Sequence, residues 1–169
     1  ALLLRRAEEG PALVVAPTSV CSGWLREAQR FAPTLRLTRF GEGDRDGALE
    51  GIGALDLVVV SYGLLVSEAE RLTAVDWSTV ILDEAQAIKN PKTQRHQAAR
   101  GLRAGFRLAL TGTPVENRLE ELHALFGFLN PGMLGSEASF RKHFARPMAD
   151  GDREVGKQLR RLVTPYVLR

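Results

Sequence analysis

The sequence predicts an α/β protein with a parallel sheet flanked by helices, and three observations carry that prediction. Short apolar runs rich in Val, Ile and Leu recur at residues 12–16, 55–60, 80–82 and 106–110. The segments between them have helical patterns, and strands alternating with helices imply crossover connections within one parallel sheet. Each run also ends in a polar or turn-forming cluster: Pro17-Thr18-Ser19, Ser61-Tyr62-Gly63, Asp83-Glu84 and Thr111-Gly112-Thr113-Pro114. In a parallel sheet all four clusters fall at one end of the strands, where α/β proteins bind their ligands. Polar turns and Ser or Thr helix caps offer a plainer account of part of this pattern.

Taken in order, residues 12–16 are continuously apolar, as a strand buried on both faces must be. Residues 19–31 follow as an amphipathic helix carrying Trp24, Leu25 and Ala28. Residues 35–40 alternate apolar and basic side chains, which predicts an edge or half-exposed strand. Several Gly and Asp residues make 41–53 a surface loop with a short helix. In the helix expected over 119–129, Leu122, Leu125, Phe126 and Leu129 form one stripe for core packing, and Asn130-Pro131-Gly132 stops it. Two more helices are expected at 136–144 and 153–163, separated by the turn-rich Ala149-Asp150-Gly151-Asp152. They break the alternation, so residues 1–133 are expected to form the sheet domain and 134–169 a helical extension leading out of it.

Composition narrows the function classes. The 169 residues are 44% hydrophobic and 25% charged, ordinary for a globular chain with a sizeable core. No apolar run approaches the ~20 residues a membrane-spanning helix needs, so no membrane partner is expected. The opening Ala1-Leu2-Leu3-Leu4 places its arginines after the apolar stretch, the reverse of a signal peptide. Cys21 is the single cysteine, which excludes an internal disulfide and fits a reducing compartment. His96, His123 and His143 show no metal-ligand spacing. A formal charge of +3 is compatible with a polyanionic partner without demanding one.

The chemistry concentrates at Val80-Ile81-Leu82-Asp83-Glu84. An apolar strand ending in two carboxylates is the Walker B arrangement, in which the Asp holds Mg²⁺ at nucleotide phosphates and the Glu orients water. Carboxylates at a helix N-terminus would look the same taken alone.

Read together, the clusters resemble the Swi/Snf-type family of ATP-dependent DNA translocases, within helicase-like superfamily two. Residues 13–20 with Trp24, Glu27 and Phe31-Ala32-Pro33 resemble the family's motif Ia, and Val59-Val60-Ser61-Tyr62 its motif Ic. Asp83-Glu84-Ala85-Gln86-Ala87-Ile88-Lys89-Asn90 resembles motif II with its family-specific extension, here a DEAQ box. Residues 108–117, with Thr111-Gly112-Thr113-Pro114, resemble motif III, and DEAD-box RNA helicases typically carry Ser-Ala-Thr there. Residues 125–131 and 162–169 resemble the family's sequel to motif III and its exit from the first lobe.

The resemblance implies a three-layer RecA-like lobe of P-loop NTPase type, with ATP and Mg²⁺ as cofactors. It implies double-stranded DNA and a second RecA-like lobe as partners, with a protein–DNA complex as the object remodelled. Asp83 would hold Mg²⁺ through its water shell, Glu84 would orient or deprotonate water, and Gln86 would sense the γ-phosphate. Gln86 stands where His is commoner, and an amide cannot titrate. Thr18, Ser19, Ser61, Tyr62, Lys89 and Asn90 would face nucleic acid, while Thr111, Gly112 and Thr113 would couple motif II to the DNA side.

One family element is missing. Lys89, Lys92, Lys142 and Lys157 are the only lysines, and none lies in G-x-x-x-x-G-K-[ST]. Residues 1–9 resemble the end of the helix that follows that loop. The chain is therefore expected to start after motif I, lacking the first strand and P-loop, and to be inactive without the rest of its parent. A catalytically silent nucleic-acid or protein binding module of the same fold is the alternative, and an RNA helicase or restriction-enzyme subunit a further one. Abundant Arg over Lys, with Gln86, points to a bacterial parent and hence to the cytoplasm, at the nucleoid.

Overall fold

Five strands, all parallel, form the centre of the computed structural model, which describes residues 1–45, 47–112 and 119–168. They are β1 (Ala12–Ala16), β2 (Arg36–Arg39), β3 (Asp56–Ser61), β4 (Asp76–Leu82) and β5 (Arg103–Ala109), in the order β2-β3-β1-β4-β5. β1 is central because it is the most apolar: every one of its residues is buried. Val14 stands beside Val59 on one side and Ile81 on the other. β2 lies at the edge, as its alternating basic pattern predicts, with Arg36 bridging to Asp56 at 2.8 Å.

The helices cover both faces. α1 (Leu2–Arg6) precedes β1, and α2 (Thr18–Phe31) follows it. α3 (Tyr62–Ser67) and α4 (Ala69–Ala74) follow β3, α5 (Gln94–Gly101) follows β4, and α6 (Leu119–Leu129) lies beyond β5. The two-residue period of a strand divides its side chains between two cores. Leu13, Val15, Val58, Val60, Val80 and Leu82 pack with Leu65, Leu72, Ala99, Leu125 and Phe128 from the four later helices. Val14, Ala16, Leu57, Val59 and Ile81 pack with Cys21, Trp24 and Leu25 of α2. The result is the expected three-layer α/β sandwich.

β4 and β5 begin earlier than their apolar runs. Ser78 and Thr79 are buried in β4, where the Ser78 hydroxyl bonds the carbonyls of Gly10 and Pro11, both at 3.0 Å. Thr79 accepts from the Arg6 guanidinium at 3.1 Å. Polar residues satisfied this way escape an apolar-run reading.

Past α6, helices α7 (Glu137–Phe140), α8 (Arg146–Ala149) and α9 (Arg153–Val163) share a small core of Phe126, Leu134, Phe140 and Leu159. A π turn over Arg141–Ala145 joins α7 to α8. Pro147 has no N–H for the carbonyl four residues back, and such an interruption favours a widened turn. Ser136 and Asp152 cap α7 and α9.

Candidate functional site

Parallel strands put the four polar clusters at one sheet edge. The pairings Ala16↔Ser61, Val15↔Leu82 and Leu82↔Ala109 bring the strand ends into nearly one row. Asp83 continues the β1 ladder by one residue, its N–H donating to the Val15 carbonyl at 2.8 Å. The chain then turns sharply: Glu84 has φ 50° and ψ 51°, the left-handed region that non-glycine residues rarely occupy. Two hydrogen bonds staple this turn to the end of β5, Leu110 N–H to the Leu82 carbonyl and Ala85 N–H to the Leu110 carbonyl, both 2.8 Å.

Each Asp83 carboxylate oxygen accepts one short hydrogen bond. The Trp24 indole N–H donates to Oδ2 at 2.7 Å, and the Glu84 amide to Oδ1 at 2.9 Å. The residue is half-buried, and each oxygen keeps a lone pair for a further partner. Among the described residues no cluster of three or more His, Cys, Asp or Glu could hold a metal ion. A single carboxylate with free lone pairs suits Mg²⁺, which keeps much of its water and relies on substrate phosphates.

Glu84 is the first member of a polar chain. Gln86 Nε2 donates to Glu84 Oε2 at 2.6 Å, and Thr111 Oγ1 donates to Gln86 Oε1 at 2.7 Å. The structure thus joins Glu84, Gln86 and Thr111. Gly112 is exposed beside them; Thr113, expected to act with them, lies outside the described residues, as do residues 114–118.

The residues expected to face nucleic acid divide into groups. Thr18 and Ser19 are exposed on the first turn of α2. Ser61 caps α3 by accepting from the Leu64 amide at 3.2 Å, which leaves its own proton to donate. Tyr62, expected among them, is buried, and its hydroxyl donates to the Asp83 main-chain carbonyl at 2.9 Å. Burial, with the nearby Asp83 and Glu84 charges, pushes its pKa well above the ordinary tyrosine value. Lys89 is exposed and pairs with Glu121 of α6 at 3.3 Å. Asn90 is exposed too, its Oδ1 accepting from the Lys92 amide at 3.0 Å in a turn that leads to α5, which Thr93 caps. Buried His96 ties this turn down, its Nδ1 meeting the Ile88 carbonyl at 2.9 Å.

Sequence reasoning misses two contacts on Asp83. Trp24 reads as one more apolar residue of an amphipathic helix, and Tyr62 as a surface hydroxyl. Periodicity cannot signal either contact, because each joins Asp83 to a residue far away in the chain.

The SNF2-related domain model matches residues 2–169. The putative ATP-dependent helicase/translocase YwqA of Bacillus subtilis is 44% identical over 168 residues, covering 96% of this chain and 18% of that protein. The TATA-binding protein-associated factor mot1 of Schizosaccharomyces pombe is 33% identical, covering 94% of this chain and 9% of its own length. This chain therefore spans less than a fifth of either relative. Among solved structures, the Sulfolobus solfataricus SWI2/SNF2 ATPase core in complex with dsDNA superposes with a TM-score of 0.88 at 39% identity, over 99% of this chain and 35% of that one. A second structure, the Sulfolobus solfataricus SWI2/SNF2 ATPase core domain, gives 0.83 at 38%, over 99% of this chain and 34% of that one. With the family model spanning residues 2–169 and the SWI2/SNF2 ATPase core superposing over 99% of this chain, this chain belongs to the SNF2-related family.

Proposed function

We propose that this chain is the first RecA-like lobe of an ATP-dependent translocase on double-stranded DNA, with residues 134–169 as a helical extension leading toward a second lobe. The observation that carries the proposal is the Asp83–Glu84 pair, held at the carboxyl end of the sheet and wired to Thr111 through Gln86. In this reading Asp83 anchors Mg²⁺, which would neutralise charge on the transferred phosphate. Glu84 accepts a proton from, or orients, the attacking water, and Gln86 holds that carboxylate while its amide faces the γ-phosphate. Thr18, Ser19 and Ser61 offer hydroxyls to one strand's phosphates, and such contacts position without reading sequence. Lys89 and Asn90 border the same side, and Thr111 and Gly112, with Thr113, carry motion between the two sides.

Relatives described as helicases or translocases and as chromatin-remodelling ATPases support this reading, as does the dsDNA bound to the superposed core. We place the intact protein in the bacterial cytoplasm, at the nucleoid, acting on a protein–DNA complex. The chain by itself has no G-x-x-x-x-G-K-[ST] to cradle phosphates, so it is expected to bind MgATP weakly and turn none over. The second reading is a silent binding module of the same fold.

ATP turnover by the intact protein separates the two. It is measured without nucleic acid, with duplex DNA and with RNA, beside Glu84→Gln. Duplex-stimulated turnover abolished by the substitution is expected. No turnover in any condition returns the binding module, and stimulation by RNA alone an RNA motor. Glu84-dependent turnover in the isolated 169 residues would refute the expectation that they are inactive alone.

A further inference from the structure

Two polar groups around Asp83 have no part in the chemistry described above. The Trp24 indole N–H donates to its carboxylate at 2.7 Å, and the Tyr62 hydroxyl to its main-chain carbonyl at 2.9 Å. An indole N–H can only donate, so its bond has one sense and fixes Oδ2. The Glu84 amide fixes Oδ1 from the other side, which leaves the carboxylate one orientation. Both outside donors stand on helices that start at the clusters ending β1 and β3. Trp24 lies six residues into α2 beyond Thr18, about 9 Å along the helix axis. Tyr62 is the first residue of α3, next to its cap Ser61.

α2 and α3 are thus tied to Asp83 by side chains, while β5 is tied to Glu84 through Thr111 and Gln86. We propose that Trp24 and Tyr62 are positioning residues that orient Asp83 toward its cation and transmit a displacement of α2 or α3 to that carboxylate. The inference rests on the motor reading, since it supposes that duplex phosphates press on the first turns of those helices. It supplies a second route from DNA to the reaction centre, one that bypasses the Thr111 chain. A shift of α2 moves the indole, and the carboxylate bonded to it must follow or lose a short charge-assisted bond.

The test uses the intact protein with Mn²⁺ as a paramagnetic stand-in for Mg²⁺. Free Mn²⁺ is followed by electron paramagnetic resonance in the presence of ATP, with and without duplex DNA. The wild type is expected to hold Mn²⁺ more tightly when duplex is present. Trp24→Phe should weaken Mn²⁺ retention by about tenfold, the worth of one hydrogen bond to a charged group. It should also lose the duplex-dependent gain, while duplex affinity measured without nucleotide is unchanged. Trp24→His, which keeps a ring N–H, should restore part of the gain, and Tyr62→Phe should reduce it.

Wild-type Mn²⁺ affinity and duplex response in Trp24→Phe would overturn the proposal. So would a joint fall in melting temperature, Mn²⁺ affinity and duplex affinity that Trp24→His does not relieve, since that marks a packing role. Failure of the motor reading shows separately, as absence of duplex-stimulated turnover in the wild type.

Discussion

Gln86 connects Glu84 to the end of β5, and breaking that connection gives the sharpest test of the polar chain. Gln86→Leu removes both the 2.6 Å bond to Glu84 and the 2.7 Å bond from Thr111. Thr111→Val removes the second bond alone at nearly constant volume. A hydrogen bond to a carboxylate contributes roughly 1.5–3 kcal/mol and a neutral one about 0.5–1.5 kcal/mol. If the bond holds Glu84 for the transition state, Q86L lowers duplex-stimulated kcat by about 10- to 150-fold and T111V by about 2- to 10-fold. In the described contacts Thr111 reaches Glu84 through Gln86, so the double variant should be no slower than Q86L. The coupling energy then equals the effect of T111V, about 1 kcal/mol, whereas independent sites add. The assay is steady-state turnover at saturating duplex, with KM for ATP determined separately for each variant. T111V costing as much in the Q86L background as in the wild type would refute the chain as a unit. The pH profile supplies a second check: an amide does not titrate, while Gln86→His should add an inflection near pH ~6.5.

Two further substitutions test the scaffold. Arg107 on β5 donates to the Phe128 carbonyl at 2.8 Å and the Leu102 carbonyl at 2.6 Å, and lies over the Phe128 ring at 5.2 Å. It ties the last turn of α6 to the sheet, and Arg107→Met should lower stability by about 2–3 kcal/mol. In urea that moves the midpoint by about 1 M with an unchanged slope, and an unmoved midpoint would show that the two bonds contribute nothing net. Tyr62 makes a prediction in alkali. Its folded pKa is raised, so its contribution to stability is complete below the ordinary tyrosine value near 10 and is lost as pH climbs past it. Tyr62→Phe should therefore be less stable than wild type at pH ~8, by about 1 kcal/mol, with the gap narrowing above pH ~10. Phenolate absorbance should show Tyr62 ionising only on unfolding, and its ionising in the folded protein would contradict its burial.

The sheet and the place of its polar clusters were legible because both leave a local mark. Val14, Val59 and Ile81 sit in runs apolar on both faces, and each run stops at a polar cluster, so parallel strands and a shared polar edge follow together. β2 showed its edge position in alternating basic residues. Asp83 and Glu84 announced themselves by ending a buried strand. What escaped detection has no local mark. Ser78 and Thr79 look like a loop until the carbonyls of residues 10 and 11 and the Arg6 guanidinium are placed beside them. Trp24 and Tyr62 look like a core residue and a surface hydroxyl until folding brings Asp83 within 3 Å of each. Arg107 looks like a solvated charge within β5, yet burial lowers its pKa and two carbonyls take up its guanidinium. Such contacts depend on which elements become neighbours, and hydrophobic period does not encode that.

The backbone angle at Glu84 has a consequence for anyone selecting sturdier versions of this chain. A left-handed conformation costs a residue with a side chain roughly 1–2 kcal/mol, which glycine escapes and asparagine largely tolerates. Directed evolution for thermostability alone would thus be drawn early to E84G and E84N. Either would discard the carboxylate that the turn holds out toward Gln86, so under the proposed function the hardier molecules from such a screen would be the ones that lose turnover. Counter-selection on turnover at this one position is the safeguard that the geometry prescribes.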